Sequence, residues 1–124
     1  MLGLFKKKSQ PQGPDFSDVA SEATAAEMAA RGQLEKLFLL PPEFGGEDIP
    51  PNVVYVPVGI GQIKQRIDLG IVRQLVQDGK VTQYTATPEY SGKSFIPIAL
   101  KIVAHSPGSF TTTINIWGEA LQRG

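Results

Sequence analysis

The sequence predicts an α+β domain: a small antiparallel β-sheet in β-α-β-β-β order, covered by one or two helices, behind a flexible N-terminal tail. Three observations lead there. The second half of the chain alternates with the period of two that a half-buried strand requires, most clearly from Phe95 to Ala104 and from Phe110 to Trp117. Between Ile60 and Val76, aliphatic residues recur instead at helical spacings. The opening residues show neither period; Ser9 to Pro14 reads SQPQGP, a linker composition that buries little and resists helix.

Residues 1–16 are read as the tail and 17–124 as a single domain, with a helical region at 17–40, a loop at 41–52 and the core at 53–124. The tail begins MLGLFKKK. Leu2, Leu4 and Phe5 followed by three lysines could dip into an anionic membrane surface, where each lysine contributes about 1 kcal/mol. A stretch so short buries too little for stable anchoring, and a solubilising tail is the preferred reading. Its apolar residues precede its lysines, the reverse of a secretory signal, so an unprocessed cytoplasmic protein is expected.

From residue 17, Val19, Ala23, Ala26, Ala30, Leu34 and Leu37 make one helical stripe, with Asp15, Ser17 or Asp18 available as N-cap. Gly32 breaks or kinks it. Leu34, Leu37 and Phe38 are expected to dock on the core, and the alanine-rich part to pack loosely or against a partner. Pro41 and Pro42 end the helix. The loop PPEFGGEDIPPN carries Glu43, Glu47 and Asp48 but lacks the calcium-loop spacing, and reads as an acidic surface loop tacked down by Phe44 and Ile49.

A strand at Val53–Val56 then meets Val58-Gly59-Ile60-Gly61 and a helix whose stripe is Ile60, Ile63, Ile67, Ile71, Leu75 and Val76. Gly70 is a possible break, and Asp78-Gly79 a natural C-terminal turn. Free N–H groups at such a strand–GxG–helix junction favour anions, and Gly59, Gly61 and Lys64 are the candidate anion-binding residues. The dinucleotide fingerprint is incomplete, because Lys64 stands where its third glycine belongs, and no GK[ST] of a P-loop follows. Glycines needed only for tight packing are the preferred reading of the pattern.

Three strands complete the sheet, at 81–87, 95–104 and 110–117. Ile96, Ile98, Leu100, Ile102 and Ala104 share the core face. The other face offers Gln83, Thr85, Thr87, Ala99, Lys101, Thr111, Thr113, Asn115 and Trp117. Of these, Thr85, Lys101, Thr111, Thr113, Asn115 and Trp117 are the candidate interface residues, Trp117 as anchor. Plain solvated sheet surface is the preferred reading of this face, since threonine suits strands anyway.

Composition excludes several classes. Lys and Arg total 12 and balance 12 Asp and Glu, so nothing in the overall charge supports phosphate neutralisation and no nucleic-acid partner is expected. Zero net charge leaves self-association unopposed. Without cysteine there is no disulfide, thiolate metal site or cysteine nucleophile. The one histidine, His105, sits at a turn; beside it are Ser106 and Ser109, but no nucleophile elbow. No metal, cofactor or catalytic residue is predicted. The sequence points to a non-catalytic protein-binding or assembly module, with self-association or a protein partner expected. A small-ligand or anion-binding protein, or a small enzyme, using Gly59–Lys64 is the alternative; a peripheral protein tethered by residues 1–8 is the third.

Overall fold

The computed structural model describes residues 13–123. The class is α+β, with two small antiparallel sheets. The first twelve residues of the predicted tail lie outside the described residues. Phe16, within that predicted tail, packs edge-on against Trp117, their ring centroids 5.8 Å apart. Backbone bonds tie this segment down: Phe95 N–H donates to the Val19 carbonyl and Ser94 Oγ to the Phe16 carbonyl.

Helix α1 (Glu22–Ala30) is shorter than predicted and is capped by Ser21, whose Oγ accepts from Thr24 N–H. Its buried side carries Ala25, with Ala26, Met28 and Ala29 beside it, whereas Ala23 and Ala30 face solvent. Gly32, at φ +80°, closes it. The Gln33 N–H donates to Met28 and the Gly32 N–H to Ala29, a Schellman arrangement that satisfies the end carbonyls.

Beyond Gly32 the chain forms a strand, not the predicted second half of a helix. Strand β1 (Leu34–Phe38) pairs antiparallel with β2 (Val53–Pro57), Leu34 opposite Pro57 and Phe38 opposite Val53. The early strand therefore joins a two-stranded sheet of its own rather than the C-terminal meander. A five-residue LEKLF fits either period; the glycine-terminated helix and the β2 partner decide it. The 39–52 connection contains two short 3₁₀ turns, Pro42–Phe44 and Pro50–Asn52. Asn52 laces it: its Oδ1 accepts from Leu40 N–H, and its Nδ2 donates to the carbonyls of Leu40 and Glu47.

After β2, helix α2 (Ile60–Gln65) continues through a π-helical segment, Arg66–Val72, into α3 (Arg73–Gln77). Gly70 does not break this 60–77 helix; the π segment is the accommodation. Gly79, at φ +72°, ends it with a second Schellman arrangement, Lys80 N–H to Leu75 and Gly79 N–H to Val76. Strands β3 (Gln83–Glu89), β4 (Ala99–His105) and β5 (Ser109–Asn115) form the meander in the order β3-β4-β5. Residues 95–98, predicted as strand, precede β4 as irregular chain, yet Ile96 and Ile98 are buried as their spacing requires. The main core gathers β2, the inner side of β4, Ile114, Ile116 and Trp117; a smaller cluster joins Val72, Val81 and Ala104.

Candidate functional site

The Gly59–Lys64 turn does have the backbone of an anion site. Gly59 adopts φ +109°, which favours glycine, and the amides of Gly59 and Gly61 converge. They converge on a carboxylate of the chain itself. Glu35, on β1, accepts from Gly59 N–H at 3.1 Å and Gly61 N–H at 2.8 Å through one oxygen, Oε2. A Cβ on Gly61 would lie 3.0 Å from that oxygen, so glycine there admits the carboxylate. An external anion would have to displace Glu35. Lys64, the third candidate, is not part of this cluster.

Lys64 points into the protein, 2% exposed. Its Nζ donates to Asp68 Oδ2 at 2.5 Å, to the Leu39 carbonyl at 2.8 Å and to Tyr84 Oη at 2.9 Å. Tyr84 Oη in turn donates to Asp68 Oδ1 at 2.6 Å. Three elements meet here: the chain leaving β1, the 60–77 helix and β3. Burial holds the Lys64 ammonium below its usual pKa, against the opposing pull of Asp68. Burial, then the Asp68 carboxylate, pushes the Tyr84 phenol far above its usual value.

The geometry of this cluster decides its chemistry. An ammonium has three protons, and all three of Lys64's are committed. The one phenol proton is given to Asp68. A cleft of about 180 Å³, lined by Lys36, Phe38, Glu43 and Gln65 among others, reaches Lys64 and Asp68 but meets no free donor on either. The network is a closed polar clasp rather than a poised acid–base site. The sequence reading missed Asp68 and Tyr84 as its members. The four-residue Lys64–Asp68 spacing was available as a helical ion-pair signal, but nothing local says that it turns inward.

Lys64, Asp68 and Val72 form the buried line of the 60–77 helix, while Ile63 and Ile71, predicted for the core, are exposed. Ile60, Ile67 and Leu75 are half-buried between these lines. In a plain α-helix, residues four apart advance by about 40° around the axis. The wider turn of the π segment changes that advance locally, and exposure along the aliphatic line alternates, with Ile63 and Ile71 outside and Ile67 and Leu75 against the core.

The outer face of the meander is open over its two central rows but not at its end, where Ala99, predicted for this face, is buried and Asn115 is half-buried. Thr85, Val103 and Thr111 form one row across the strands, and Thr87, Lys101 and Thr113 the next. All except half-buried Val103 are exposed. Asn115 sits in the end row opposite Ala99; its Oδ1 is buried with no hydrogen-bond partner among the described residues. Glu89, at the other end of that row, is held by Arg123 through two hydrogen bonds of 2.9 and 2.7 Å. Trp117 is a correction: it is not on this face. The chain leaves the sheet after Asn115, and Trp117 enters the core, 5% exposed, its Nε1 donating to the Ile96 carbonyl. The amides of Ile116 and Trp117 both donate to the Ile98 carbonyl, a bulge-like step that breaks the alternation before Trp117, and Gly118, at φ +65°, follows it.

His105 is exposed at the β4–β5 turn, its Nδ1 2.8 Å from Ser106 Oγ. Among the described residues, no group of three His, Asp or Glu side chains could hold a metal, and no helix is long and apolar enough to cross a membrane.

No family model matches the chain, and no curated protein or solved structure matches it.

Proposed function

We propose that the chain is a non-catalytic assembly module that pairs with a second copy of itself through β5. The observation that carries this is the character of the β5 edge. β5 has β4 on one side only, and among the described residues its outer backbone groups bond to no other segment. Its sequence, SFTTTIN, has no charge and no proline. Edge strands usually carry such features to prevent pairing. β3, the opposite edge, has both Pro88 and Glu89.

A two-fold β5–β5 pairing would continue the meander across two copies, placing Thr111 and Thr113 of each beside the other on the outer face. Cross-strand threonine pairs are favourable, and zero net charge adds no repulsion. Lys101, on β4, would stand one strand from the joint and Thr85, on β3, two strands away. The closed Lys64–Asp68–Tyr84 clasp, which presents no free acid, base or nucleophile, supports the non-catalytic part of the reading.

The test is the solution mass of the full chain by analytical ultracentrifugation from micromolar to millimolar concentration. The expected result is a mass rising toward that of a dimer, and a monomer throughout for the Thr111→Lys/Thr113→Lys variant. A wild-type chain that stays monomeric across the range overturns the proposal.

A further inference from the structure

The hydrogen-bond phase of the meander decides which groups its two edges offer. Ser106 N–H donates to the Gly108 carbonyl at one end of the β4–β5 ladder, and Ile116 N–H to the Ile98 carbonyl at the other. Antiparallel bonds fall on alternate residues. Phe110, Thr112 and Ile114, opposite Ala104, Ile102 and Leu100, therefore bond to β4. Ser109, Thr111, Thr113 and Asn115 turn their N–H and C=O groups to the free edge. A strand bonded on both sides alternates between its neighbours, so Ala99, Lys101, Val103 and His105 serve β3. That leaves Tyr84, Ala86 and Pro88 facing outward on β3, and Pro88 has no N–H to give.

β5 is also self-complementary about its middle residue. Outward from Thr112, Thr111 matches Thr113, Phe110 matches Ile114 and Ser109 matches Asn115 in chemical kind. A two-fold axis requires that match, because it sets each residue opposite its counterpart from the other half of the strand. Thr111 and Thr113 are exposed on the outer face. Phe110 is half-buried on the inner face, at the rim of the Val72, Val81 and Ala104 cluster.

We infer, resting on the β5 pairing proposed above, that its two-fold axis passes through Thr112 and that the assembly closes at a dimer. In that register Thr112 faces its own copy as a non-hydrogen-bonded pair. Thr111 with Thr113, and Ser109 with Asn115, exchange both bonds, so every outward N–H and C=O of the seven-residue strand is used. On the inner face Phe110 stands beside Ile114 of the second copy, a favourable aromatic–β-branched pair. An axis through Thr111 would set Asn115 opposite Pro107, which has no N–H. An axis through Thr113 would set Ser109 opposite Trp117, whose amide is already bonded to the Ile98 carbonyl. An axis between residues would oppose an outward group with an inward one. The joined sheet ends at both sides in β3, where Pro88 and Glu89 stop further pairing.

Because the chain has no cysteine, single cysteines in the full chain report the register. Thr112→Cys should form a covalent dimer on mild oxidation, since facing residues of a non-hydrogen-bonded pair lie about 4.5 Å apart at Cα, within disulfide reach. Thr111→Cys and Thr113→Cys should each cross-link at least about tenfold more slowly alone, and readily when mixed. Amide exchange of the wild type, followed by NMR at rising concentration, needs no substitution. Where about nine-tenths of the chain is paired, the Thr111 and Thr113 amides should exchange about tenfold more slowly than in dilute monomer, because only the monomer exchanges. The Tyr84 and Ala86 amides, on the β3 edge, should not change. Fast cross-linking of Thr111→Cys or Thr113→Cys alone, with a dimeric mass, overturns the register and leaves the β5 pairing standing. A mass above that of a dimer, or slowed exchange at Tyr84 and Ala86, overturns the closure. A dimeric mass without protection of Thr111 and Thr113 overturns the β5 pairing and the register together. A monomer at every concentration overturns the pairing itself.

Discussion

Replacing Asp68 with alanine is the sharpest test of the clasp. The Lys64 and Asp68 side chains are 2% and 3% exposed. Removing the carboxylate leaves an ammonium with two neutral acceptors, the Leu39 carbonyl and the Tyr84 hydroxyl, in a site that water reaches poorly. Breaking a buried pair from one side typically costs roughly 3–5 kcal/mol. A domain of this size holds only about 5–15 kcal/mol in all, so the variant should retain a cooperative transition but lose about 15–25 °C of melting temperature. Urea unfolding followed by the fluorescence of buried Trp117 measures it directly. The companion variant is Lys64→Met/Asp68→Leu/Tyr84→Phe, which removes the charges and the phenol hydroxyl together and leaves only the Leu39 carbonyl without its donor. It should be markedly more stable than Asp68→Ala, because replacing a whole buried ionic set by apolar groups is often close to neutral. If Asp68→Ala costs less than about 1 kcal/mol, or the triple variant is no better, the clasp is not the buried, coupled unit described above.

The same structure sets three further outcomes. Tyr84 has its folded pKa raised above the usual 10.0, so its contribution is fully present below that value and is lost as pH rises above it; urea midpoints of the wild type should fall above about pH 10, with a shallower fall for Tyr84→Phe. A Cβ at Gly46 would overlap the Leu40 carbonyl oxygen, so Gly46→Ala should displace the Asn52-laced loop and cost about 2 kcal/mol or more by urea titration. Glu35→Ala should cost about 1–2 kcal/mol, since one carboxylate oxygen serves two amides. It should also free those amides, so that inorganic phosphate raises the melting temperature of Glu35→Ala but not of the wild type. Equal phosphate stabilisation of both proteins would mean that the anion binds elsewhere.

The sequence alone determined the parts of this protein whose signals are local. Alternation places Leu100, Ile102 and Ala104 on the buried side of β4, because side chains on an extended chain alternate; Ile96 and Ile98 are buried as well, though in irregular chain where Pro97 between them is also buried. Asp78-Gly79 marks a helix end, because a left-handed residue folds the chain back on its last carbonyls; Gly32 was legible only as a break or kink in a helix expected to run on to Pro41. Zero net charge and the absence of cysteine come from counting.

Other features depend on residues far apart in the chain, and only the tertiary structure decided them. LEKLF became β1 because Val53–Pro57 lies beside it, and no window of that length separates a strand from a helical turn. The glycine turn at Gly59–Gly61 was legible, but not its occupant, Glu35, 24 and 26 residues earlier. The 60–77 helix was legible, but not which of its faces turns inward. The aliphatic line had the stronger local claim. The inward line won because Leu39 and Tyr84 together satisfy a buried lysine and aspartate, leaving the isoleucines outside. Trp117 kept step with its strand in sequence, yet the alternation breaks where the Ile116 and Trp117 amides share the Ile98 carbonyl, and both side chains are buried. Spacing records periodicity along the chain; it carries no record of which distant group will meet a side chain once the chain has folded.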